Sequence, residues 1–508
     1  MSSKATTPPQ IRAATSLLLG VVGAAIGLLI LSVLLDLSIL DFETGTVFSN
    51  AWLKGPNRVL DGLSEVLSAV LGISLTVVAI VVQLASQRYP AKIVDVFMYD
   101  RLNITAFAFM AASCIYVVMA TAMNVDGNLP FVAFTALLLA ILNFAMLLPY
   151  FAHVFAFLEP TNLISQIQIR ANAQLHRLAE GGDVLTTQES TASAFDRIAD
   201  NCMAAIVQSD RNLAIHSLQT LETMMVDYLA LKPSLPDAWF EVDEEFFGTL
   251  AQESILDLVK QRTWIEAKGL MEFERVLRRA LDEMSEVVSQ IARSTRAAGE
   301  AAIAREQWES VELTTRFFNT YIRHGLNRKN IRAVYNILYE YRLFAVALLE
   351  TQPEMTQKVA NHLVYYGRTA NEMGLPFVTV TVAHDVRVIC ENAFGQPDAD
   401  VRKLLEVFLR LDQPVDGKGE DVALIGVRKA QSMLGAFLLR HDEMELVDLI
   451  REDMQGERSD RLRFIRDEIL AVKDRKFWEI TDRGFNFDFS ELEHHPSIIA
   501  FFEPMIGT

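Results

Sequence analysis

Four stretches within the first 160 residues are almost free of charge. Residues 16–35, 103–123 and 129–158 contain no Asp, Glu, Lys or Arg, and residues 63–85 contain one, Glu65. A helix needs ~20 apolar residues to cross ~30 Å of hydrocarbon. With no water there to bond the backbone, such a run satisfies its own N–H and C=O groups as a helix. Four membrane-spanning helices are therefore predicted. The fourth stretch is long, and Pro149 and His153 are expected to mark where it leaves the bilayer. The first stretch exceeds the ~7–15-residue apolar core of a signal peptide. It has no small-residue cleavage site and is followed by Asp36 and Asp41, so it reads as an uncleaved span.

Charge divides at the same place. Of the 508 residues, the first 160 hold 7 basic and 9 acidic side chains, whereas the rest hold 39 and 55, which supplies −16 of the net −18. The expected fold class is all-α, an integral membrane protein with four transmembrane helices and a large cytoplasmic helical domain. The expected boundaries are 1–15 for a cytoplasmic tail, 16–158 for the four-helix membrane domain, 159–475 for the cytoplasmic helical domain and 476–508 for a C-terminal latch or tail. So acidic a chain, with no basic block, argues against nucleic acid as a partner. Cys114, Cys202 and Cys390 are too few for a disulfide framework or a four-cysteine metal site, and three reduced cysteines suit a reducing compartment.

Orientation follows from Lys and Arg in short loops. Arg88, Lys92 and Arg101 lie between the second and third spans, and Lys4 and Arg12 in the N-terminal tail. The 36–61 loop sets Lys54 and Arg58 against Asp36, Asp41, Glu43 and Asp61. Both termini are thus expected in the cytoplasm, and the chain is expected to be a multi-pass protein of the bacterial inner membrane. Gly20, Gly23 and Gly27 form a small-residue strip on the first span. Such strips let helix backbones approach closely in lipid, first as a packing surface inside one subunit, second as a seam between subunits.

The second span is the most informative. Glu65, Ser68, Gly72, Thr76, Ala79, Gln83 and Gln87 recur at steps of three and four, the period of one helical face. Positions between them are almost all Leu, Val or Ile. Ser and Thr hydroxyls bond the carbonyl one turn back at little cost, but Gln83 and Gln87 have no such outlet. Polar side chains in hydrocarbon turn toward a bundle interior or a watery cavity. The stripe is therefore read either as hydrogen bonding between helices of one bundle or as the lining of a pore; a helix starting later, with Glu65 in water, is the remaining reading.

The run 78–90 (VAIVVQLASQRYP), followed by Phe97, Asp100 and Arg101, and the segment Tyr150-Phe151-x-His153 resemble an uncharacterised family of predicted bacterial membrane proteins, catalogued as domain of unknown function 2254. The likeness covers about residues 60–165. Ala91 departs from it, where family members often carry arginine after the proline. The resemblance implies the membrane topology and no reaction.

Beyond Pro160 the apolar period becomes helical. Leu270, Phe273, Leu277, Leu281, Met284, Val288 and Ile291 predict one amphipathic helix of some six turns, with further stripes at 213–231, 311–322, 331–349 and 422–439. The β-branched run 378–382 suits a strand on propensity but lacks partner strands, so it reads as a buried helix. Asp210-Arg211-Asn212-Leu213 and Arg328-Lys329-Asn330-Ile331 each open a helix, which suggests stacked hairpins; a compact bundle is the alternative. The alternation 484–489 reads as a surface latch or a short strand.

Chemistry-bearing motifs are missing: no phosphate loop, His-Glu-x-x-His, serine elbow or Cys-x-x-Cys occurs. His494 and His495 beside Glu491 and Glu493 read as solvated rather than as a metal cluster, and no metal or cofactor is expected. His153 is a possible pH-sensitive group at a membrane boundary. Catalysis ranks last, because one carboxylate and one histidine sit near opposite ends of the spans. Without a midplane ionisable residue or an inverted repeat, secondary transport is disfavoured. Two expectations remain: an oligomeric, channel-like protein lined by its second span, or a membrane-anchored scaffold whose cytoplasmic helices bind a protein partner.

Overall fold

The computed structural model describes residues 9–39, 56–88, 101–123, 129–157, 159–242, 244–248, 250–412, 421–477 and 482–506. The chain divides into two compact units, Met1–Leu163 and Ile164–Thr508, and no strand occurs among the described residues.

The first unit contains α1 (Pro9–Ile39), α2 (Pro56–Arg88), α3 (Arg101–Met123) and α4 (Pro130–Phe157). Each includes a segment long and apolar enough to cross a membrane: Gly20–Leu37, Gly62–Ile80, Leu102–Met123 and Phe131–Val154. Helices α3 and α4 pack together along the middle, and α1 and α2 each lie against both. The packed edges follow the helical period with small residues. Val132, Ala136, Ala140 and Asn143 of α4 and Ser113, Tyr116, Val117 and Ala120 of α3 are buried. Small side chains here let backbones approach and gain dispersion contacts, which replaces the hydrophobic drive absent in lipid.

Helix α4 runs through Pro149 to Phe157, and His153 lies half-buried next to Val154, where the apolar segment ends. Two expectations for this unit change. Asp36 is no loop residue: α1 continues past it and the side chain is 1% exposed. The glycine strip of α1 is not an internal packing surface. Gly20, Gly23 and Gly27 are exposed, and a Cβ there would meet nothing within 4 Å. Contact with α3 and α4 uses the opposite register, in which Ala25, Leu29, Ser32 and Asp36 are buried. Asp41, Glu43, Lys54, Lys92 and Gln87's side chain lie outside the described residues.

The second unit is a succession of helices beginning with the body of α5 (Pro160–Ala179), then α6 (Val184–Val207), α7 (Arg211–Leu231), α8 (Gln252–Lys260), α9 (Trp264–Glu283), α10 (Ser285–Ile303), α11 (Trp308–Asn327) and α12 (Ile331–Ala347). It continues through α13 (Pro353–Glu372), α14 (Pro376–Ala393), α15 (Val401–Phe408), α16 (Asp421–Arg440), α17 (Met444–Asp453), α18 (Ser459–Ala471) and α19 (His495–Ile506). Contacts arrange these in two layers. Helices α7, α10, α12, α14, α16 and α19 stack in order as one, and α6, α9, α11, α13 and α15 as the other. Neighbouring hairpins bury one continuous core, from Ile164 to Ile506, as stacked helical repeats do.

One turn recurs between successive helices. Ser209, Arg262, Glu306, Lys329 and Asp442 have φ of 51–62°, and each immediately precedes the cap of the next helix: Asp210, Thr263, Gln307, Asn330 and Glu443. Left-handed residues end one helix and reverse the chain; the cap then opens the next. Asp210 accepts the Leu213 N–H at 3.1 Å and Asn330 that of Ala333 at 3.1 Å, so the likeness between 210–213 and 328–331 is a shared helix start.

The predicted helix from Leu270 to Ile291 is two helices. Met284, at φ −150° and ψ 73°, breaks it, although its side chain stays in the core. The run 378–382 lies within α14, buried at Val378 and Val382.

Candidate functional site

Helix α2 packs mainly against α3 and α4, and one of its sides is left over. Leu67, Ser74 and Val78 are buried against the bundle. Glu65, Ser68, Gly72, Thr76, Ala79 and Gln83 are all exposed. With 3.6 residues per turn the two sets are centred about 150° apart. The stripe thus lies on the side of α2 turned away from Leu67, Ser74 and Val78, while Ser68 at its edge keeps contact with α3. It extends along about 27 Å of helix from Glu65 to Gln83, and Ile73, Leu75 and Ile80 flank it, each at least half exposed.

Local chemistry matches the residue types. Thr76 donates its hydroxyl to the Gly72 carbonyl at 2.8 Å, leaving no bare donor toward lipid. Ser68 Oγ lies 3.4 Å from Cys114 Sγ of α3, tying the stripe's edge to its neighbour. Gly72 has open space where a Cβ would stand, so any close approach there comes from outside the subunit. Helix α2 begins at Pro56, which puts Glu65 well inside it.

The interior offers no alternative path. Tyr116, Val117, Ala120, Val132 and Ala136 are fully buried and belong to one apolar cluster. Several polar groups there are hydrogen-bonded across the helices, whereas the buried Ser74 hydroxyl has no partner among the described residues. Ser32 Oγ and Tyr116 Oη are 2.8 Å apart, the Asp36 carboxylate accepts the N–H groups of Phe131 and Val132 at 2.8 and 3.2 Å, and Tyr150 donates to Asn103 Oδ1 at 2.6 Å. None of these clasps is visible as a motif, since each joins residues distant in sequence. A polar residue at an otherwise apolar, inward-facing position, as Asp36 and Asn103 are, is the signal that could have found them.

Residues 12–215 match the model of a family described as "Predicted membrane protein (DUF2254)". The DUF2254 match includes all four apolar helices, α5, α6 and the first turn of α7, and so reaches further toward both termini than the motif-bearing stretch. No curated protein and no solved structure matches the chain. Four apolar helices and this family together make the chain a membrane protein.

Outside the spans, the cysteines are poorly suited to chemistry. Burial pushes the Cys202 thiol up to about 12 and raises that of Cys390 as well, so neither supplies a thiolate near neutral pH. Among the described residues no three His, Cys, Asp or Glu side chains gather as a metal site requires; His494 Nε2 lies 3.6 Å from Glu493.

The most heavily buried charges lie in a network absent from the motif reading. Arg483 grips Asp385 of α14 through both oxygens, at 2.7 and 3.0 Å, and donates to the Tyr335 carbonyl at 2.8 Å. Arg342 approaches the same carboxylate at 3.5 Å. Residues 482–489 are thereby strapped across α12 and α14, with Asp482 bound to Arg332 and Asn336 and Asp488 to Lys429.

Proposed function

We propose that this membrane protein assembles in several copies through the outer face of α2 and encloses a hydrated, channel-like path between them. One observation carries the reading: the polar stripe of the second span lies opposite the edge by which that span packs. Left in lipid, Glu65 would be costly, and a bundle whose centre is filled by Tyr116 and Ala120 offers it no refuge. Copies arranged about an axis would gather the stripe's side chains around water. A ring of Glu65 at one mouth would favour cations over anions, and Thr76, Gln83 and Gln87 would supply uncharged ligands further along. Basic residues at Lys4, Arg12, Arg88, Lys92 and Arg101 support cytoplasmic termini in a bacterial inner membrane.

The test is aqueous accessibility. Single cysteines are placed at 68, 72, 76, 79 and 83, and at Leu75 and Val78, in a chain lacking Cys114, Cys202 and Cys390, and treated with a membrane-impermeant thiol reagent in vesicles. Labelling of the stripe positions with protection at Leu75 and Val78 is expected. Uniform protection would end the channel reading.

A scaffold role is the second reading, favoured by the two-layer stack of hairpins, since stacks of this kind present extended surfaces to proteins. A monomer in mild detergent would favour it over the pore.

A further inference from the structure

Arg387 of α14 is nine-tenths buried, yet among the described residues no carboxylate stands within hydrogen-bond distance of its guanidinium. Nη2 donates to Nδ1 of His384 at 3.0 Å and Nη1 to the Met433 sulfur at 3.3 Å. The nearest carboxylate oxygen, on Glu391, is 3.7 Å away, and Nε has no acceptor. An imidazole nitrogen and a thioether are weak acceptors for a cation that elsewhere takes carboxylate or phosphate in a fork. Because His384 accepts through Nδ1, its proton sits on Nε2, and that group is also buried without a partner. The surroundings carry excess positive charge: Arg483 and Arg342 share the single carboxylate of Asp385. Burial, then Arg387, Arg483 and Arg342, hold the His384 imidazole well below its ordinary pKa, so it adds no charge of its own.

His384, Arg387 and Met433 border a cleft of about 410 Å³ between α14, α16 and the residues leading into α19. Its size falls within the ~300–1,000 Å³ of small-molecule sites. Arg440 and Arg475 also line it, and Phe437, Phe485 and Phe489 give it an aromatic wall. Two carboxylates, Glu391 and Glu491, share the lining, which disfavours a polyphosphate and leaves room for one anionic group.

We propose that this cleft binds a small organic anion, its single phosphate or carboxylate group held by Arg387 with Arg440, and its flat apolar body against Phe437, Phe485 and Phe489. The buried guanidinium, whose nearest carboxylate stands 3.7 Å away on Glu391, gains a bidentate partner, and the aromatic wall gains area that a bare inorganic ion leaves uncovered.

The full-length protein in detergent is titrated calorimetrically, at constant ionic strength, with phenyl phosphate, benzoate and adenosine 5′-monophosphate, and with inorganic phosphate and benzylamine. Saturable binding of at least one ring-bearing anion, tenfold or more tighter than inorganic phosphate, is expected, with none for benzylamine. Arg440→Gln at the partly exposed mouth should weaken it at least tenfold without altering the melting temperature. Arg387→Lys, which keeps the charge and loses the fork, should weaken it further; should that variant not fold, Arg440→Gln decides alone. The proposal is overturned when no ring anion saturates at millimolar concentration, when benzylamine or inorganic phosphate binds as tightly, or when Arg440→Gln binds like the parent.

Discussion

Asp36 in the first span holds the first turn of the fourth, its carboxylate accepting the N–H of Phe131 at 2.8 Å. Together with the bond from Val132, it does for α4 what a cap residue ordinarily does from within the same chain segment. A carboxylate at a helix N-terminus also meets the positive end of the helix dipole. Replacing Asp36 with Ala strands the buried N–H of Val132 and the part-buried one of Phe131, and a loss of about 1–3 kcal/mol is expected. Thermal unfolding in detergent measures it. Asp36→Asn, which keeps an acceptor, should lose less than half as much; equal losses would mean that the side chain acts by packing alone.

Arg483 and Asp385 form a buried pair with side chains at most 1% exposed. Removing only the cation leaves a buried carboxylate facing Arg342 alone, and Arg483→Ala is expected to destabilise the second unit by about 3–5 kcal/mol. Because the strap from 482 to 489 is fixed there, the same variant should become sensitive to limited proteolysis near its C-terminus. In a double-mutant cycle with Asp385→Asn, the second change should cost far less than it does alone.

Arg428 serves three carboxylates: Asp412, Asp453 and Glu457. Asp412 Oδ2 sits 2.9 Å from Nη1 but lacks hydrogen-bond geometry. Burial pushes its pKa up to about 6, despite Arg428. A folded pKa above the ordinary 3.8 means that the folded chain binds the extra proton between about pH 4 and pH 6, so Asp412's contribution is best at low pH and declines as pH rises through about 6. Asp412→Asn should therefore gain on the parent across that window, by about 1–3 kcal/mol at pH 7.5 and little at pH 4. Melting temperatures at the two pH values check this; an advantage larger at pH 4 contradicts it.

Along the outer stripe, Gly72→Cys in a chain lacking the native cysteines should form an intermolecular disulfide on mild oxidation if copies meet there. Ser74→Cys, at a position fully buried against the bundle, should not. Non-reducing gel electrophoresis distinguishes them.

Much of the fold is legible because the bilayer imposes composition. Four charge-poor stretches could only be helices, and Gly374 followed by Pro376 marks a stop and a restart between α13 and α14. Periodicity, however, says which residues share a face and not what that face meets. The steps of three and four place Glu65 to Gln83 on one face of α2, yet only packing reveals that Leu67, Ser74 and Val78 take the inner side. The Met284 break is silent because methionine is a good helix former, so the discontinuity comes from how α9 and α10 pack. Arg387, His384 and Arg483 carry no recognisable spacing. Their significance arises from neighbours on α12, α16 and the strap, which the linear order separates.

The strap has a consequence in time. Asp385 and Arg483 are 98 residues apart, and a ribosome adding 5–20 residues per second needs about 5–20 s to go from one to the other. Hairpins that stack on their neighbours can assemble while the chain is still emerging, but α14 must wait through that interval with a carboxylate whose bidentate partner does not yet exist. During synthesis the middle of the stack therefore has reason to stay open, or to keep Asp385 protonated, until nearly the last residues arrive. A chain cut short before Arg483 would lack both α19 and the arginine that closes the stack.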